Sequence, residues 1–407
     1  MELFKDKEHC CGCRVCEQIC PQSAITMQMD ECGFLYPMID SQKCIDCGLC
    51  LKKCSFQNGY KKRKEFEPAR SYAARHKEMG TMMKSRSGGA FTAVSDQILM
   101  SGGVVYGAGY DSEDRLFRVI HKRAETQEQR NEFRGSKYVQ SDLGDVFCQI
   151  KKDLAAGKSV LFSGTGCQVG ALHTYLGKEY DQLLTVDIVC HGVPSPKIWE
   201  DFLKMREQEN GGIITSVDFR DKVHYGWKAH RETVWVNEKR ISSRLYSKLF
   251  YLDVATRPSC FRCIYANKNR PGDITIADFW GHEDAVPGFN ADNKGVSLVM
   301  VNTQKGYDIW EKAEKDMEII DCTGYPFRHT NMKRPTKRPD NYEEFWEDYQ
   351  QFGFDFVIKK YCDYEVGTKA QEISKKAENQ TFFGIIKRNK YYLKLKALLK
   401  NVKKRFF

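Results

Sequence analysis

The chain of 407 residues lacks any apolar run approaching the roughly 18 residues that a membrane-spanning helix needs. Its mean hydropathy is −0.56, and the opening stretch MELFKDKEHC has no apolar segment of the kind that directs export. Both absences lead to the expectation of a cytoplasmic protein. Several enzyme signatures are also missing. There is no GxGxxG after a strand, no Walker phosphate loop, no HExxH and no ordered Ser/His/Asp set. An ordinary Rossmann dinucleotide site, an NTPase and a hydrolase are therefore disfavoured. Acidic residues stop at Glu378, and nine Lys and Arg follow. The formal charge of the whole chain is +10, so the body before that tail is nearly neutral. That argues against a nucleic-acid groove spread over the fold.

What the chain has in excess is cysteine, 17 in all. A disulfide scaffold would be shorter and exported, so clustered thiols point to metal instead. Eight of them form two repeats within the first 54 residues. Cys10, Cys13, Cys16 and Cys20 have the spacing C-x2-C-x2-C-x3-C, and Cys44, Cys47, Cys50 and Cys54 repeat it. Three thiolates at such intervals wrap one corner of a cubic iron–sulfur cluster, and the fourth reaches the other cluster. One cluster would take Cys10, Cys13, Cys16 and Cys54. The other would take Cys44, Cys47, Cys50 and Cys20. Residues 1–56 are similar to the bacterial two-cluster 4Fe–4S ferredoxin domain, with Ser55 standing where that family prefers proline. Such a module carries single electrons and selects no substrate.

Residues 57–70 read as a basic linker. Beyond it, the pattern is α/β (α+β overall). Strands are expected at SYAARH, VVYGAGY, LFRVIHK, SVLFS, LLTVDIVC, DITIADFW and VSLVMVN. Helices are expected at AFTAVSDQILM, at QVGALHTYL, and from Pro194 to Lys204. Residues 341–380 give no clear assignment. A mixed sheet with helices on its faces follows.

Four further cysteines occupy unusual settings: Cys167 in SGTGCQVGAL, Cys190 in CHGVPSP, and Cys260 and Cys263 in RPSCFRC. Four thiolates suffice for another 4Fe–4S cluster or for zinc. These stretches, together with DITIADFWG, resemble the β-subunit family of coenzyme F(420) hydrogenases and dehydrogenases, over residues 71–340. The resemblance implies an iron–sulfur flavoprotein carrying FAD and a third cluster on Cys167, Cys190, Cys260 and Cys263. It also implies a FAD site around Ser85, Ser87, Gly88, Gly89 and Thr92, where backbone N–H groups before a helix can hold a pyrophosphate. Gly164, Thr165 and Gly166 would let backbone approach the flavin or a cluster. Lys137 and Tyr138 would lie near the flavin, and His191 could pass a proton. The substrate implied is coenzyme F(420) itself or an intermediate of polysaccharide biosynthesis, since similar bacterial chains accompany polysaccharide-synthesis genes. The other five cysteines, Cys11, Cys32, Cys148, Cys322 and Cys362, read as buried apolar thiols.

The C-terminal extension, 341–407, ends in lysines interleaved with Phe, Tyr, Ile and Leu. It reads as a basic amphipathic helix suited to an anionic membrane surface, to the body of the protein, or to an acidic partner. The expected function is an oxidoreductase that exchanges electrons with a ferredoxin-like or other low-potential carrier and acts on a small-molecule substrate. No nucleic-acid partner is expected, and peripheral contact with the inner face of the membrane is left open. The alternative is an electron-transfer subunit without a substrate of its own.

Overall fold

The computed structural model describes residues 3–60 and 65–366. The basic amphipathic tail and the basic run at 61–64 of the linker therefore lie outside the described residues. Among the described residues no helix is long and apolar enough to cross a membrane.

The first cysteine repeats flank a hairpin of β1 (Ile25–Met29) and β2 (Leu35–Ile39). Apolar residues of the hairpin and its flanks turn inward: Ile25, Phe34 and Tyr36 are buried, while Met29 and Met38 are exposed. The alternation follows the period-two geometry of a half-buried strand.

The body is mixed α/β. Its strands in chain order are β3 (Arg70–His76), β4 (Val104–Tyr110), β5 (Val119–Ala124), β6 (Val160–Thr165) and β7 (Leu183–Ile188). Then follow β8 (Ile214–Asp218), β9 (Glu232–Val236), β10 (Lys239–Ser243), β11 (Ile274–Asp278), β12 (Ser297–Val301) and β13 (Met317–Asp321). Eight strands form one sheet in the order β13-β3-β12-β11-β7-β6-β4-β5. The central run β11-β7-β6-β4 is parallel, and antiparallel strands flank it on both sides. Apolar β-branched and aliphatic residues such as Val160, Leu161, Val186, Val299 and Val301 are fully buried, as expected of strands covered on both faces. Helices Ala90–Met100 and Gln304–Ala313 pack on one face. Helices Val146–Ala155 and Gly166–Leu176 pack on the other.

A three-stranded antiparallel sheet, β10-β9-β8, lies outside this layer. It shares a core with helix Pro196–Asn210, helix Leu245–Leu252 and the two helices Tyr342–Phe352 and Phe354–Cys362. The unassigned stretch after 340 is thus helical through Cys362, with Tyr342, Phe345, Trp346 and Tyr349 turned inward at helical spacing. The helix expected from Pro194 begins at Pro196, because Ser195 caps it by accepting from the Lys197 and Ile198 N–H groups, and it runs to Asn210.

Strand ends at the carboxyl edge of the parallel run carry the loops that matter below. One buried ion pair fixes them. Arg270 Nε donates to Asp187 Oδ2 at 2.9 Å, and Asp187 also accepts from Thr275 Oγ1 at 2.7 Å. Arg270 further donates to the carbonyls of Ile188 and Tyr265. The loop after β7 is thereby tied to the cysteine-bearing loop before β11. Removing the guanidinium would strand a buried carboxylate. Arg270→Met should cost about 3–5 kcal/mol, read as a fall in the chemical-denaturation midpoint, and Asp187→Asn added to it should recover part of the loss.

Candidate electron-transfer site

Three cavities collect the cysteines. The first is lined by Cys10, Cys13, Cys16 and Cys54. The second is lined by Cys20, Cys44, Cys47 and Cys50. The third is lined by Cys167, Cys190, Cys260 and Cys263. Each quartet is the one expected from the sequence. Local chain geometry explains the placement. Arg14 and Gly48 take left-handed backbone just before the short helices Val15–Ile19 and Leu49–Lys52, which curls each repeat around its sulfurs. Cys167 follows the end of β6, and Cys190 follows the end of the adjacent parallel strand β7. Cys260 and Cys263 lie in and just after the 3-10 turn Pro258–Arg262.

The cavities form a row. Cys50 lines both the second and the first, and Cys11 lines both the first and the third. Solvent contact falls along it: Cys47 is exposed, whereas the other ligand candidates are half-buried or buried. Burial pushes the Cys190 and Cys263 thiols up to about 12. Cys167 is different. A hydrogen bond from Cys11 lowers its thiol to about 7 against the opposing effect of burial, and Thr165 Oγ1 lies 3.1 Å from its sulfur. Four sulfurs converging in a space with no carboxylate on its lining suit a cationic iron–sulfur centre.

Beyond the third cavity, His191 leads to a second group of residues. His191 lines that cavity, and its Nε2 lies 2.7 Å from Asp253 Oδ1. Its ring packs 5.1 Å from Phe250, which stacks at 4.4 Å on Tyr138. Tyr138 accepts a hydrogen bond from Arg220 at 3.3 Å, and Arg220 pairs with Asp278. Burial would raise the Asp278 carboxyl, but Arg220 and Arg86 hold it down at about 2. Trp227 donates to Asp278 and stacks on Trp280 at 4.4 Å, while His230 stacks on the same Trp280 at 5.4 Å. Burial and the neighbouring Arg220 lower His230 to about 4.

The stretch expected to hold a cofactor is largely occupied with its own packing. Ser85 Oγ donates to Thr81 O at 2.7 Å and lies 3.3 Å from Thr92 Oγ1. Ser87 Oγ donates to Val296 O, and Gly88 N–H donates to Ser297 Oγ. Gly88 permits a close approach, since a Cβ there would sit 2.1 Å from Ala74 O. Gly89, at φ +96°, starts helix Ala90–Met100. The group left over is Arg86, whose Nε and Nη2 are buried without a partner among the described residues. Burial and Arg220 lower its guanidinium to about 10. Nearby Lys222 donates to Ser87 O, and burial and Arg86 lower its amine to about 7.

The remaining expected residues fall on two sides. Thr165 and Gly166 line the third cysteine cavity, and Gly164 packs beneath Gln168. Lys137 points away from Arg220. Its amine donates to the carbonyls of Glu132 and Gly135 beside Tyr110, and burial lowers it to about 8. Residues that sequence reasoning missed are Arg86, Arg220, Lys222, His230 and Trp280. The one local signal was an arginine set inside the Ser-Gly stretch SRSGG.

Comparison with known proteins agrees with this division. Residues 157–322 match the family described as the C terminus of the coenzyme F(420) hydrogenase/dehydrogenase beta subunit, and residues 3–26 match the 4Fe–4S binding domain. An uncharacterized ferredoxin of Methanocaldococcus jannaschii is 33% identical over 54 residues, which is 13% of this chain and 69% of the ferredoxin. A solved F(420)-reducing [NiFe] hydrogenase complex from Methanosarcina barkeri aligns with a TM-score of 0.46 at 18% identity, covering 70% of this chain and 93% of that one. The protein is an electron-transfer oxidoreductase of the 4Fe–4S type. With ferredoxin repeats at its start and the matching body behind them, the chain belongs to the coenzyme F(420) hydrogenase/dehydrogenase beta-subunit family.

Proposed function

We propose that the chain is a flavin-dependent iron–sulfur oxidoreductase in which residues 1–56 receive single electrons and residues 71–340 bring them to a substrate. The observation that carries the reading is the row of three cysteine-lined cavities, which ends beside His191, Phe250 and Tyr138. The twelve ligands are Cys10, Cys13, Cys16 and Cys54; Cys20, Cys44, Cys47 and Cys50; and Cys167, Cys190, Cys260 and Cys263. Spacing favours clusters over single ions. A tetrahedral zinc with Zn–S near 2.3 Å draws its sulfurs to within about 4 Å of one another. Among the described residues no three of these sulfurs lie mutually within 4.8 Å.

The body also suits FAD. Aromatic faces at Tyr138, Trp280 and His230 can lie against an isoalloxazine, and the unpartnered Arg86 guanidinium can meet its electron-rich edge or its phosphate. FAD, when bound, would supply the exchange between single electrons and a two-electron hydride. Gly88 and Gly89 would admit the backbone close to it, Arg220 would hold Tyr138 in place through its pairing with Asp278, and His191 would hold a proton against Asp253. The electron carrier is a ferredoxin-like or other low-potential protein meeting the exposed Cys47 edge. The substrate is coenzyme F(420) or, where that coenzyme is absent, an intermediate of polysaccharide biosynthesis.

Anaerobically prepared protein should hold about twelve irons, and Cys260→Ser should remove about four without touching the ferredoxin module. Eight irons and one zinc would overturn the third cluster. Arg86→Met should weaken flavin binding about tenfold or more, as expected for a lost hydrogen bond to a charged group worth about 1.5–3 kcal/mol. Flavin titration followed by fluorescence measures it, and unchanged affinity would remove Arg86 from the site.

A further inference from the structure

Cys11 belongs to neither cysteine repeat, yet it is among the most enclosed thiols of the chain, with 8% of its surface exposed. It lines the first cavity and the third. Its thiol is hydrogen-bonded to the sulfurs of Cys13, in the first quartet, and Cys167, in the third. Phe56 and Tyr265 pack beside it, so the junction between the two quartets is apolar apart from the sulfurs. Its backbone is fixed as well. Gln140 Nε2 donates to Cys11 O at 3.1 Å, and a Cβ on the next residue, Gly12, would sit 3.0 Å from the Arg257 guanidinium. A plain hydrophobic filler would need neither a donor nor two sulfur neighbours.

We propose that Cys11 is a positioning residue that shares its S–H between the sulfurs of Cys13 and Cys167. It would thereby couple the first and third sites and fix the order of the row as second, first, third. This rests on the reading of twelve cysteines as ligands given above. Electron passage between the two sites makes and breaks no bond: one site loses one electron, the other gains it, and the Cys11 proton stays on its sulfur. Hydrogen bonds to ligand sulfurs favour the more negative, reduced state and raise the reduction potential. An S–H shared between two quartets therefore acts on both sites and leaves the second, on the far side of Cys50, alone.

The test is an EPR-monitored redox titration of the full-length holoprotein, with iron analysis, for wild type, Cys11→Ala and Cys11→Ser. The expected result for Cys11→Ala is unchanged iron with lowered midpoint potentials at two of the three centres. Cys11→Ser, which keeps a donor, should leave those two at or above the wild-type values. Three unchanged potentials in an iron-replete Cys11→Ala protein would overturn the proposal, as would an equal shift of all three. If Cys11→Ala loses iron, Cys11→Ser decides: full iron with the two potentials retained supports the coupling, and a fall at either centre refutes it. Wild-type protein lacking a third centre would instead sink the twelve-ligand reading on which the proposal rests.

Discussion

The structure turns on the guanidinium of Arg257. It is fully buried, and it reaches two parts of the chain at once. Arg257 donates to Cys10 O at 2.9 Å and to Leu35 O at 3.0 Å in the ferredoxin module, and to Gln140 Oε1 at 2.9 Å in the body. Its plane lies 4.3 Å from the centre of the Tyr36 ring. A buried cation is tolerated only when its donors are met, so these carbonyls are a condition of folding rather than an addition to it. Arg257 N–H also donates to Val193 O, which ties the loop after Cys190 to the loop that carries Cys260. Orientation of the module and closure of the third cavity are therefore consequences of one side chain. Gly12 is required beside it, because its φ of +70° and the 3.0 Å approach to Arg257 leave no room for a side chain.

A different logic governs the residues around Asp278. Arg270 and Asp187 neutralise each other within the sheet, but Arg86 and Arg220 share one carboxylate. Positive charge is left over where the walls are aromatic and the guanidinium atoms have no protein partner. A fold assembled for stability alone gains nothing from such a surplus, since burying an unmet charge is costly. The surplus is intelligible as preparation for an electron-rich or anionic ligand.

Legibility of these parts in the sequence differed for physical reasons. The repeats Cys10–Cys20 and Cys44–Cys54 could be read because ligand geometry there depends on a few consecutive backbone turns. Central strands such as Val160–Thr165 and Leu183–Ile188 could be read because burial on both faces leaves continuous apolar runs. The third quartet is scattered over nearly a hundred residues, so spacing alone gave four thiols with no partner assignment, and the family resemblance supplied the grouping. Arg86 was invisible, because an arginine after a serine is ordinary until Arg220 and Trp280 are folded around it. Ser85 and Thr92 were legible as polar groups before a helix, but their hydroxyls turn to each other. The helices after 340 were missed because their apolar stripe answers a surface made by Pro196–Asn210, some 150 residues earlier.

The decline in exposure along the row of cavities raises a final point. At the second quartet, with Cys47 in solvent, water can donate to the sulfurs. Deeper in, burial disfavours added negative charge and would make the inner sites progressively harder to reduce. The protein replaces water with fixed donors in that region: Arg257 Nη2 stands 3.9 Å from Cys10 Sγ, Thr165 Oγ1 stands 3.1 Å from Cys167 Sγ, and Cys11 sits between Cys13 and Cys167. Arg257 adds a full positive charge at the junction, which favours reduced states on both sides of it. The side chain that fixes the module in place is thus also positioned to offset the electrostatic penalty of burying it. Docking geometry and electron affinity are set by the same group, so neither can change in this chain without the other.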